Sequence, residues 1–267
     1  MKEKSKNIET QTDKLDNRPE IVFFGYKNTN PVDKSIQIEA LKNNIQINIV
    51  FYISLIVCMY VLSMNDDYKP NYTKWLKLIL LFIMISFLGY LSHVLSHNIN
   101  LKKSWDKCDT ILKDVSYLNR ILEYIIHIVE SHHVTHHDTE INKEWKNILQ
   151  EAINNIFIQG VFWKLVGEIL NLITWEMCFI WGGLYTTLHL INYYYIEPKV
   201  HADHHKMEHT NYGIDIYDII MGTKYDWNDI EEYNHYSINI IILTLIVYSY
   251  RKWRENKKAN TINFIPY

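Results

Sequence analysis

Uncharged apolar runs alternate with polar stretches along this chain, and the lengths of the runs predict its elements. Residues 47–64 carry no charge over roughly 18 positions, about the length that crosses a bilayer as a helix. Residues 76–97 form a second run, interrupted only by Lys77 near its start. A third region, 155–196, is broken by Lys164, Glu168 and Glu176 and is long enough for a pair of membrane helices. Residues 238–250 are apolar too. Their span of about 20 Å as a helix is short for a crossing, so they are expected to pack against the others or lie at the interface. Residues 1–45 are polar, with turns marked at Pro19 and Pro31. The expected organisation is a polar N-terminal tail over 1–45, a membrane-embedded domain over 46–250 and a basic C-terminal tail over 251–267. The expected fold class is all-α: an integral membrane helical bundle of about four transmembrane helices.

Charge refines this outline. The formal net charge of −3 gives no reason to expect nucleic acid as a partner. Basic residues instead flank the apolar runs at Lys102, Lys103 and Lys107 and at 251–258, whereas the loop 65–75 sets Asp66 and Asp67 against Lys69 and Lys74. The positive-inside rule then puts both termini and the central polar segment in the cytosol, with the 65–75 loop outside. No signal peptide is read at the N-terminus, and the first run would serve as its own insertion signal. Cys58, Cys108 and Cys178 show no paired spacing, so neither a disulfide framework nor a cysteine zinc site is expected.

The candidate chemistry lies in the histidines. Of 13, nine form a spaced array: His93 and His97, then His133, His136 and His137, then His189, then His201, His204 and His205. Neutral imidazole is the commonest protein metal ligand. On a helix, positions i, i+3 and i+4 share a face, so H-x-x-H-H presents three rings and H-x-x-x-H presents two. The hairpins of apolar runs bring every cluster to one membrane face, as a histidine-lined cytosolic cap. Nine rings exceed the needs of one tetrahedral ion and fit two metals of four or five ligands each. Imidazole accepts Zn, Cu, Fe or Ni. Glu130, Asp138, Asp203 and Asp218 are candidates to receive the other ring N–H of a ligand. His127 and His235 read as packed histidines outside the array, while His132 and His209 each stand four residues from an array member and leave either reading open. The run Tyr193, Tyr194, Tyr195 reads as an interfacial aromatic belt rather than a radical site.

The stretch 201–223, HADHHKMEHTNYGIDIYDIIMGT, resembles the third histidine box and downstream signature of the fatty acid hydroxylase/sterol desaturase superfamily. The matching residues are His201, His204 and His205, Asn211-Tyr212-Gly213, Asp218, and Gly222-Thr223. The pair His93 and His97 looks like that family's first box; His133, His136 and His137 look like the second; His189 corresponds to its isolated histidine. The likeness covers about residues 75–225. It implies an integral membrane oxygenase with two Fe ions (Zn as a substitute) held by the nine histidines. Such an enzyme uses O2 and electrons from cytochrome b5 or a similar donor to hydroxylate or desaturate a fatty-acyl, sphingoid or sterol lipid. The implied setting is a multi-pass protein of the endoplasmic reticulum or a host-derived membrane, its site facing the cytosol. The first box lacks the Arg that often follows its first histidine. Tyr193 stands where some fatty acid hydroxylases carry another histidine, with Asn192 beside it as a candidate replacement. Three other readings remain: a plasmanyl-lipid desaturase-like enzyme, suggested by 130–142; a non-redox histidine-rich metal-binding or transport protein; and a non-catalytic member of the same family.

Overall fold

The computed structural model describes residues 34–64, 69–98, 101–107, 111–131, 145–170, 173–206 and 210–262, and the described residues are all-helical, with no strand among them. The first element, α1 (Lys34–Ile47), meets α2 (Ile49–Ser63) at a 66° bend. Asn48 sits in that bend and uses both ends of its amide: Nδ2 donates to the Glu231 carbonyl (2.9 Å) and Oδ1 accepts from the Tyr233 N–H (2.7 Å). Then follow α3 (Tyr72–Asn98), α4 (Leu101–Lys107), α5 (Ile111–Asp114) and α6 (Ser116–Ser131). Next, α7 (Trp145–Ile156) runs through a wide π turn at Phe157–Val161 into α8 (Phe162–Leu170). Similarly, α9 (Trp175–Thr187) runs through a π turn at Leu188–Asn192 into α10 (Tyr193–Ile196). The remaining elements are α11 (Lys199–Lys206), α12 (Asp215–Met221) and α13 (Tyr236–Ile262).

Contacts at the helix ends fix the directions. The rings of Phe51 and Tyr236 meet at 5.8 Å, while Arg251 at the other end donates to the carbonyls of Leu62 (2.7 Å) and Met64 (3.1 Å), so α2 and α13 run parallel. Trp175 packs on Tyr250 and Asn192 bonds Asn239, so the α9–α10 segment runs antiparallel to α13. Between α9 and the α7–α8 segment the backbones approach at Gly160 and Gly182, where an added Cβ on Gly182 would sit 3.0 Å from the Gly160 Cα. Small residues permit this approach of helices that hold each other by packing. The shared core joins Phe51, Met59, Ile85, Met177, Ile180, Leu184 and Ile240, all buried. The outward faces are apolar as well: Ile53, Leu80, Leu165, Phe179, Ile242 and Leu245 are all exposed.

By length and composition, Tyr72–His97 is the one described helix long and apolar enough to cross a membrane by itself; the bent pair α1–α2 passes the same test jointly. The pattern of runs anticipated the positions of α2 and α3 and helices within 155–196, but the first helix of that region begins earlier, at Trp145. Three further features differ from expectation. Helix starts at Lys34, inside the expected N-terminal tail, because Ala40 and Asn44 are buried and Gln37 reaches the Ile219 carbonyl on α12 (2.7 Å). The apolar run 238–250 continues as helix through Ile262, so the basic segment 251–262 extends α13 rather than starting a separate tail. The third difference follows: Arg251 is level with Leu62–Met64, and the basic segment leaves at the end of the bundle opposite the histidines. Within the bundle, the C-terminal basic segment and the histidines therefore lie at opposite ends, where both termini were expected on the histidine side.

Candidate metal centre

The histidines gather where α3, α9–α10 and α11 end together. His93 and His97 lie one turn apart on α3, both buried, and His204 enters from α11, also buried. One nitrogen from each of these three rings lies within 4.8 Å of the others. The Nε2 atoms of His93 and His97 stand 3.1 Å apart. Two metal–nitrogen bonds of about 2.1 Å meeting near a right angle place their donors ~3 Å apart, and two donors of one ion can lie at most ~4.2 Å apart. The three ring nitrogens are close enough for one ion after a modest inward shift, and the donor set is all imidazole.

The third cluster divides its rings between two directions. His201 and His205, at i and i+4 on α11, bring their Nε2 atoms to 3.0 Å of each other. His204, at i+3, points to the α3 pair, its ring centroid 4.8 Å from both His93 and His97 but 6.2 Å from His201. His189 joins the second group, 5.5 Å from the His201 ring. The spacing H-x-x-H-H thus supplies a pair to one group and a single ring to its neighbour, rather than three rings to one point. His133, His136 and His137 lie outside the described residues, as do His132 and His209; the side chain of His127 does too.

Ring orientation is set by backbone carbonyls. His204 Nδ1 donates to the Thr210 carbonyl at 2.6 Å, and His189 Nδ1 donates to the Tyr185 carbonyl at 3.0 Å within the wide turn of Leu188–Asn192. A bond at Nδ1 fixes the tautomer and leaves Nε2 as the donor for a metal. Thr210 is itself held by the stretch that follows it. Asp218 accepts from the N–H groups of Tyr212 (2.9 Å) and Gly213 (3.1 Å) and from the Thr223 hydroxyl (2.6 Å). Asn211, at φ 52°, donates from its backbone to the Thr223 carbonyl (3.0 Å) and from Nδ2 to the Val200 carbonyl on α11 (3.1 Å). Gly222 closes α12 at φ 75°, a left-handed conformation that favours glycine. The signature Asn-Tyr-Gly, Asp, Gly-Thr is physically a clamp that presents the Thr210 carbonyl to His204.

This locates the sequence candidates. Asp218 supports a histidine through the clamp, not by touching a ring. Asp203 faces Lys199 at 3.8 Å; Glu130 and Asp138 lie outside the described side chains. Asn192 exchanges two amide hydrogen bonds with Asn239 (3.1 and 2.9 Å), so its amide is directed to α13 and not to the histidines. His235 packs on Tyr236 at 4.6 Å, apart from the cluster. Cys58 and Cys178 are free and buried. Two aromatic residues also border the site. Tyr212 packs on His93, His97 and His204 at 5.8, 5.3 and 5.9 Å. Tyr193 leaves the exposed pair Tyr194 and Tyr195 and lays its ring 4.1 Å from His201, so the belt expectation fails for Tyr193. Its position four residues after His189 was the available signal.

Below the clamp lies a buried acidic group. Asp215 pairs with Lys224 and accepts from Asn44 Nδ2 (3.0 Å). Burial raises the Asp215 acid, with Lys224 opposing. Burial pushes Asp218 up to about 7 against its hydrogen bonds from Thr223, Gly213 and Tyr212. Burial also lifts Glu231 to about 8, with Asp215 adding to the rise. Compared with family models, with curated proteins and with solved structures, the chain matches none.

Proposed function

We propose that this chain is a membrane-embedded, histidine-ligated di-iron oxygenase that hydroxylates or desaturates a lipid. The observation that carries the reading is the meeting of imidazoles from separate helices in two adjoining groups, with paired nitrogens at 3.1 and 3.0 Å. His93, His97 and His204 would hold one ion and His189, His201 and His205 its neighbour, with His133, His136 and His137 completing the set. Iron there would supply O2 activation and cleavage of an unactivated C–H bond. The protein's part is to bind, orient and exclude water. A small cavity of about 20 Å³ bordered by Gly89, Trp181, Tyr185, Leu188 and Tyr212 touches His189.

Outward-facing Ile53, Leu80, Leu165, Phe179 and Leu245 support a bundle solvated by lipid, since soluble monomers rarely expose contiguous apolar faces of this extent. At the end far from the histidines, Tyr60, Tyr72, Trp75, Trp175, Tyr250 and Trp253 form paired contacts resembling an interfacial girdle. From Tyr72 to His93 the helix rises about 30 Å, the thickness of a hydrocarbon core. Crossing by α13 makes five passes rather than four, in an endoplasmic reticulum or host-derived membrane with the site facing the cytosol. Electrons would come from cytochrome b5 or a similar donor. The same all-imidazole set suits zinc, so a non-redox metal protein is the second reading. Expression in yeast followed by lipid profiling tests the first: an oxidised lipid is expected with the intact chain and none with His204→Ala. Undiminished product from that variant contradicts it.

A further inference from the structure

A cavity of about 670 Å³ opens between α1 and the loop that joins α12 to α13. One wall is a single face of α1, with Ile36, Glu39 and Asn43 on successive turns; the other is the loop, with Tyr225, Asp226 and Trp227. Polar contacts hold both walls in place. Gln37 Nε2 donates to the carbonyls of Ile219 (2.7 Å) and Ile220 (3.0 Å), and Asn44 Nδ2 donates to Asp215 (3.0 Å), so α1 is pinned to α12. On the loop, the Tyr225 N–H donates to Asn211 Oδ1 (3.1 Å). Asp226 Oδ1 accepts from the Asn228 N–H (3.0 Å), which orients its carboxylate. Walls fixed in this way keep the ordering cost of binding a ligand low.

The lining has one chemical character. It carries two carboxylates, Glu39 and Asp226, and two large aromatic rings, Tyr225 and Trp227, with no lysine or arginine. Lys199 lies close enough to feel the charge of Asp226, yet it is engaged by Asp229 at 2.6 Å and by Asp203 at 3.8 Å. Carboxylates attract any cation, but aromatic faces select among them. An ammonium within ~6 Å of a Trp or Tyr ring is drawn to the electron-rich face, and its carbon groups pack against the ring. A bare metal ion gains nothing from those rings and fills little of the space. We propose that this cavity binds an organic ammonium ion, its charge beside Glu39 and Asp226 and its methyl or methylene groups against Tyr225 and Trp227. No histidine lines the cavity, so the site is separate from the metal centre and stands without the oxygenase reading. A zwitterionic lipid headgroup and a free amine share this chemistry. In the proposed bundle α1 lies at the histidine end with Ile38 and Ile45 exposed, which sets lipid headgroups within reach; only that source rests on the membrane setting.

The test is isothermal titration of the full chain in an uncharged maltoside detergent at constant ionic strength. The probes are choline, its uncharged isostere with carbon in place of nitrogen, and dihexanoyl phosphatidylcholine below its micelle concentration. Saturable binding is expected for choline or the short-chain lipid, with the isostere weaker by about tenfold or more. Glu39→Gln and Asp226→Asn keep the shape of the lining and should each weaken binding by about tenfold, whereas Glu232→Gln, outside the lining, should leave it unchanged. Trp227→Leu should weaken it as well, with thermal unfolding of the same sample reporting whether that variant is folded. Tighter binding of the lipid than of choline assigns the site to headgroups, and the reverse order assigns it to soluble amines. Absence of saturable binding by both, equal binding of the isostere, or Gln and Asn variants that bind like the parent overturns the site. None of these outcomes bears on the oxygenase reading.

Discussion

At the scale of single residues, the site depends on groups that never touch a metal. Asp218 holds the peptide of Tyr212 and Gly213, which holds the Thr210 carbonyl against His204 Nδ1. Asp218→Ala is expected to weaken metal binding by about 10–100-fold, the usual effect of losing the support behind a histidine ligand. Chelator competition with Co(II) or Zn(II) measures it. Glu231 governs a pH effect of definite sign. Its acid lies near 8 in the folded chain, above the 4.5 of an exposed glutamate, so folding favours the protonated form. The stability it contributes is complete below about pH 4.5 and declines as pH rises through 8, by an amount on the order of a few kcal/mol. Thermal unfolding of Glu231→Gln should show a shallower fall over that window than the parent chain. The histidine spacing was legible because imidazoles at i, i+3 and i+4 must project from one helix surface. Tyr193 and Asn192 were not, since a tyrosine or asparagine beside a histidine has the same sequence pattern whether it faces lipid, Asn239 or His201.

Elements were legible where an apolar run had no competing signal. The uncharged stretch at 47–64 became α2, and the run at 76–97 became most of α3. Charge misled at the C-terminus. Arg251 and its basic neighbours looked like the end of the apolar element, yet Arg251 uses its guanidinium to satisfy the last carbonyls of α2, and α13 runs on through Ile262. The N-terminal helix was hidden for a related reason: α1 is held by polar contacts such as Asn44 to Asp215 and Gln37 to Ile219, which hydrophobic periodicity does not register. Where α9 crosses the wide turn after α7, Gly182 meets Gly160 backbone to backbone. Gly182→Leu is expected to force these helices apart and lower stability by about 1–3 kcal/mol, the range for overpacking. Thermal unfolding in detergent reads this directly. Histidine-group metal binding should fall with it, because His189 rides on the same segment.

At the scale of the whole molecule, a bundle with apolar faces both inside and outside places its polar histidines at one end and an aromatic girdle at the other. In the proposed membrane-embedded bundle, α13 has its two ends on opposite sides. A cysteine at Lys257 and one at Lys103 should therefore be labelled from opposite faces of sealed vesicles. Labelling from the same face would remove α13 from the set of crossings. The central claim is that imidazoles from α3, α9–α10 and α11 share a pair of ions. Metal analysis of the purified full chain, beside His97→Ala and His204→Ala forms that remain folded, tests it most directly. The account predicts close to two iron equivalents in the parent and a marked loss in both variants; a parent without metal, or variants that retain its full content, would contradict it.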